Sequence, residues 1–104
     1  MLNTWNYGAV GSIARVLAGA AMLEGQPDQA RAYYDQALEV CERVRFRPEI
    51  AQVRLELAEL ILEHQTDEKP AAIEHVDFAI GEFQEMKMQP SLERALKHKG
   101  LLTA

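Results

Sequence analysis

The stretch DQARAYYDQALEV, residues 28–40, sets Ala30 and Ala37 seven residues apart, with the bulky Tyr34 and Leu38 between and beside them. At helical pitch Ala30, Tyr34 and Ala37 lie along one face. Where two helices cross closely, only a small side chain lets the backbones approach, and a large neighbour fills the adjacent groove. The stretch therefore reads as a helix packed tightly against another helix. Just ahead of it stand Gly25 and Pro27. Glycine is suited to the left-handed position that closes a helix, and proline to the first turn of the next one.

The same punctuation runs along the rest of the chain. The four prolines fall at 27, 48, 70 and 90. Proline breaks a helix interior but is tolerated in the first turn, where its missing N–H would have had no partner. Four near-equal intervals thus mark four helix starts. Each is followed by apolar residues at helical spacing: Ala30, Tyr34, Ala37, Leu38, Cys41; Ile50, Val53, Leu57, Ala58, Ile61; Ile73, Val76, Ala79, Ile80, Phe83; Leu92, Ala95, Leu96. A first helix over about residues 8–24 precedes them and ends at Gly25. No stretch alternates with period two for the length of a strand, so the expected fold is all-α, with five helices and short turns.

A shift of 42 residues lays Ala30 on Ala72, Ala37 on Ala79, Leu38 on Ile80 and Pro48 on Pro90. A shift of 40 lays Leu17 on Leu57 and Ala18 on Ala58, the difference being absorbed in the turns. The unit is a helix–turn–helix that occurs twice, about 8–46 and 48–88, with a terminal helix at about 90–102. Such a unit cannot bury its apolar stripe alone, so neighbours must stack. Ala18, Ala30, Ala37, Ala58, Ala72 and Ala79 are the expected crossing points.

These features resemble the tetratricopeptide repeat over roughly residues 11–99. GQPDQARAYYDQALEV (25–40) is similar to the second half of that repeat, with its turn glycine, acidic residue, alanine, aromatic, and alanine followed by leucine. LELAELILE (55–63) and, less fully, RVLAGAAML (15–23) are similar to its first helix. AAIEHVDFAIGEF (71–83) repeats the second half with Val76 in place of the aromatic. The chain departs from the pattern at Ala14 and Arg54, where a tryptophan is common, and in a unit longer than ~34 residues. The longer units, and the ending FQEMKMQPSLERALKHKGLL (83–102), resemble the C-terminal repeats of large bacterial regulators such as MalT-like activators and ATPase-linked cyclases.

Composition bounds the function. With 104 residues and a hydrophobic fraction of 48%, the chain is one domain with an ordinary core. The single Cys41 excludes a disulfide framework and suits a reducing cytoplasm. No apolar run approaches the ~20 residues of a membrane span, and the opening MLNTWNYGAV lacks the pattern of a secretory leader. A net charge of −5 argues against a dedicated nucleic-acid binder.

Catalytic patterns are missing. His64, His75 and His98 fall on separate helices or helix ends with no HExxH, and Cys41 has no second cysteine near it. Cys41 reads as a small core residue. Gly8, Gly11 and Gly19 lie along a helix, without the strand that a nucleotide-binding glycine loop follows. The carboxylate pairs Glu56–Glu59 and Glu59–Glu63 read as solvated faces. No enzyme, metal or cofactor is expected.

Charge is segregated. Glu56 to Glu85 holds nine acids against the one base Lys69, whereas Met86 onward holds Lys87, Arg94, Lys97 and Lys99 against Glu93. Two readings follow: complementarity within the chain, with the last helix packed on the acidic pair, or a charged surface that steers a partner or a second copy. The repeat resemblance implies a concave binding face lined by Ser12, Arg15, Gly19, Met22, Gln52, Leu55, Glu59, Leu62, Arg94 and Lys97. It also implies that a grip on a peptide's terminal carboxylate is absent, since Gly19 and Glu59 stand where that version of the family has asparagines.

A protein or peptide partner is the leading expectation. Self-association is the alternative, through Trp5, Tyr7, Gly8, Gly11, Ser12 and Gly19. A nucleic-acid adaptor using Arg43, Arg45, Arg47, Arg54 and the basic last helix is a third and lesser one.

Overall fold

The computed structural model describes residues 4–103, with side chains over 10–101. Five α-helices make up nearly all of it: α1 (Thr4–Leu23), α2 (Pro27–Arg43), α3 (Arg47–His64), α4 (Lys69–Glu85) and α5 (Gln89–Thr103). No strand occurs among the described residues. Every proline occupies the first or second helical position, as the missing N–H dictates. α1 begins earlier than the apolar pattern alone suggested, at Thr4 rather than near residue 8.

Three of the four turns are one hydrogen-bonded device. Gly25, Arg45 and Lys87 take left-handed φ values of 72°, 56° and 56°. At each, the amide of that residue donates three residues back, to Met22, Glu42 or Gln84. The next amide reaches five residues back, to Ala21, Cys41 or Phe83. This pair of bonds satisfies the orphan carbonyls at a helix end. The residue that completes it, Gln26, Phe46 or Met88, then offers its own carbonyl to the fourth residue of the following helix (Ala30, Ile50 or Leu92). One residue thus closes one helix and opens the next, which keeps these turns short. The turn after α3 is longer and runs through a 3-10 turn at Thr66–Glu68.

The described chain divides into two compact units, one ending at Val53 and the other starting at Arg54, so the division falls inside α3. In the first unit α1 packs along α2. α2 buries Ala30, Tyr34, Ala37 and Cys41, and α1 meets it with Gly11, Ala14, Ala18 and Ala21 buried. In the second unit α4 packs along α5, and α4 buries Ala72, Val76, Ala79 and Phe83. Those four are the α2 row advanced by 42 residues, so the repeat seen in the letters is also a repeat in burial. All six alanines expected at crossings are fully buried.

Gly11 is the point of closest approach in the first unit. A Cβ built on it would fall inside the contact radius of the Cys41 sulfur. The expectation that Gly11 belongs to an outward, self-associating surface is therefore incorrect. It is buried at the α1–α2 crossing, where only a hydrogen fits.

Candidate interaction surface

α1 carries three faces between Val10 and Leu23. At ~100° per residue, Gly11, Ala14, Ala18 and Ala21 form the buried stripe. Ser12, Arg15, Gly19 and Met22, spaced i, i+3, i+7 and i+10, form a half-buried stripe beside it. Val10, Ile13, Val16, Leu17, Ala20 and Leu23 form a third, exposed and apolar stripe. The second of these is the α1 part of the expected concave face.

Arg15 in that stripe holds Glu49 of α3 in a two-pronged grip. Its Nε donates to Oε2 at 2.7 Å and its Nη2 to Oε1 at 3.1 Å. Both side chains are largely withdrawn from solvent, with 27% and 13% exposed. The second unit has a counterpart in which Arg94 of α5 grips both carboxylate oxygens of Glu59 on α3, with Nε to Oε2 at 2.7 Å. The His98 ring Nε2 lies 2.7 Å from the same Oε2. Planar forks of this kind fix orientation as well as charge. Each joins one first helix to the next, across 34 and 35 residues of sequence.

Glu59 is thus the centre of an ion-paired cluster, which corrects its reading as part of a solvated acidic face. Leu55 is also misplaced by the sequence: it is fully buried and cannot line an open surface. Gln52, Glu59 and Leu62 on α3 are half-buried, while Arg94 and Lys97 on α5 are exposed. The Arg–Glu forks were missed, although an arginine and a glutamate 34 or 35 residues apart on successive first helices are a signal that could have found them.

Part of the charge segregation is complementarity within the second unit. Lys99 Nζ lies 2.7 Å from Asp77 Oδ1 on α4, so α5 bases pair with acids of the second unit. Arg54, expected among phosphate-binding arginines, donates from Nε to His75 Nδ1 at 3.0 Å and stacks 4.0 Å over the Phe78 ring. Arg43 pairs with Glu39 one helical turn back. Arg45 is exposed, at the left-handed turn after α2. Trp5, Tyr7 and Gly8 of the expected self-association surface lie outside the residues whose side chains are described.

A family model described as tetratricopeptide repeat matches residues 10–77. The chain belongs to the tetratricopeptide-repeat family. Neither the curated proteins nor the solved structures include a significant match to it. Tetratricopeptide repeats generally mediate protein–protein interaction and are typically non-catalytic. The matched span covers α1 from residue 10, all of α2 and α3 and the first half of α4. Within this family a clamp for a terminal carboxylate needs open cationic and amide donors on the first helices. Here Arg15 is engaged by Glu49 and Arg94 by Glu59.

Cys41 is buried under Gly11. Burial pushes its thiol up from 9.0 to about 11, helped by the Glu49 carboxylate, opposed by Arg15, and helped again by Glu42. A thiol held protonated is a poor nucleophile, consistent with a packing role. No helix among the described residues is long and apolar enough to cross a membrane.

Proposed function

We propose that this chain is a non-catalytic protein-binding module of a bacterial cytoplasmic regulator. Its client is a helix or an extended segment carried on the inner faces of the first helices. The observation that carries the reading is the half-buried stripe on α1. Ser12, Arg15, Gly19 and Met22 offer a hydroxyl, a guanidinium edge, bare backbone and a flexible thioether along one line. A mixed line of this kind suits side-chain recognition along a peptide, and methionine adapts to varied partners. Gln52 belongs to the same proposed surface in the first unit, and Glu59, Leu62, Arg94 and Lys97 form its counterpart in the second unit by their place in the repeat register. The regulator context rests on the resemblance of residues 83–102 to the ends of such arrays. The cytoplasmic setting rests on the single, buried, unpaired Cys41.

Site-specific photocrosslinking tests the assignment. A crosslinker at Met22 or Leu62 should capture a bacterial protein, and one at Glu39, exposed on α2, should not. Equal capture from all three positions, or none from any, would remove the inner face from consideration.

A further inference from the structure

The exposed stripe of α1 is separate from the line assigned to a client. Val10 is 39% exposed, Ile13 59%, Val16 64%, Leu17 43% and Leu23 92%. At ~100° per residue these five, with Ala20, fall within an arc of roughly 140°. The stripe carries no hydrogen-bonding side chain and no charge. The one ionisable residue between Val10 and Leu23 is Arg15, which points to Glu49.

The repeat shows what such a face becomes when it is covered. Advanced by 40 residues, Val10, Ile13, Leu17 and Ala20 fall on Ile50, Val53, Leu57 and Leu60 of α3. All four of those are buried. Val16 and Leu23, the other two exposed residues, fall instead on Glu56 and Glu63, so the α1 face is open and apolar over a wider arc than its covered counterpart. Its area is on the order of 500 Å², the size at which an exposed apolar patch marks an interaction site.

We propose that this face is the contact between two copies of the chain, a two-fold α1–α1 pairing through Val10, Ile13, Val16, Leu17 and Leu23. A second copy fits the chemistry because a two-fold contact sets a surface against itself. A charged surface would repel its own copy, and this one is neutral throughout. The other exposed leucines, Leu96 and Leu101 on α5, lie among Arg94, Lys97 and Lys99 and would bring like charges together. Two α1 faces bury on the order of 1,000 Å² in total, the lower bound for a specific interface. At that size the contact belongs with weak, transient interfaces. Glycine-mediated contact through Gly11 has no part in it, since Gly11 faces α2.

Sedimentation velocity on the full chain, from low micromolar to submillimolar concentration, provides the test. The wild type should move from 11.7 kDa to twice that mass. The midpoint should not rise with sodium chloride, because no ion pair holds the contact. The double variant Ile13→Glu, Val16→Glu should weaken association at least 100-fold with unchanged helical circular dichroism. Leu23→Lys, at the almost fully exposed end of the stripe, should weaken it about 10-fold without touching the fold. Leu101→Glu, equally apolar and exposed but on α5, should leave the dimer intact. A wild-type monomer at every concentration would overturn the proposal and leave the face to a further helix pair of a longer chain. A dimer that survives both α1 variants, or that Leu101→Glu abolishes equally, would overturn it as well. Client capture at Met22 is read independently, so either result can fail alone.

Discussion

At the scale of single residues, Gly11 and Cys41 form one packing decision. The helices approach until a hydrogen on one meets a sulfur on the other. Gly11→Ala should cost about 1–3 kcal/mol, because the added methyl must displace the sulfur or spread the helices. In a Cys41→Ala background the same substitution should cost at least about 1 kcal/mol less, since the obstacle is gone. Urea melts of the four proteins decide it, and strictly additive costs would mean the two residues do not touch.

The thiol adds a pH signature. Its folded-state value of about 11 lies above the ordinary 9.0. Below pH 9 both states hold the proton and the stabilisation is fully present. From pH 9 to 11 the unfolded chain ionises while the folded one resists, so stability drains away as pH rises. The stability gap between wild type and Cys41→Ala should narrow over that window. A gap that stays constant would show that the folded chain does not hold the proton.

At the scale of elements, the helix ends divide into those the letters announce and those they do not. Gly25 marks the end of α1 openly, since its φ of 72° is one that glycine adopts without strain. Arg45 and Lys87 occupy the same left-handed position with side chains that disfavour it. Relief of that strain, less the extra chain entropy of glycine, should make Arg45→Gly and Lys87→Gly each stabilising by up to about 1 kcal/mol. Differential scanning calorimetry of the single and double variants reads this directly, and a fall in melting temperature would contradict the turn geometry.

The helix starts were legible because proline lacks a donor, and the crossings because small residues recur at fixed register. The two left-handed turns were hidden because arginine and lysine carry no turn signal. The division of α1 into faces was hidden for a related reason. A helix apolar on both its packed and its open side shows no single stripe, so periodicity could not say which side was covered. Leu55 was misplaced for the same cause, on a helix buried on several sides.

At the scale of the whole chain, α3 belongs to both compact units. It gives Ile50, Ala51 and Val53 to the core of the first, and Leu55, Leu57, Ala58, Leu60 and Ile61 to that of the second. It also supplies Glu49 to the Arg15 fork and Glu59 to the Arg94 fork. Each unit thus draws part of its core and the carboxylate of its fork from this one continuous helix. A repeat array usually unfolds by nearest-neighbour terms, so a break in one unit can leave the other standing. Here the break can be placed in the shared element. Gln52→Pro, half-buried in the first half of α3, removes a helical hydrogen bond and collides with the carbonyl of Pro48 one turn back, costing about 3 kcal/mol or more. Both units should lose structure together. Helical circular dichroism should fall across the entire chain, and amide exchange should become fast in α4 and α5 as well as in α1 and α2. A variant that retains about half its helical signal, with α4 and α5 amides still protected, would show that the second unit stands without the start of α3. In that case the chain would behave as two separable bodies joined by a helix.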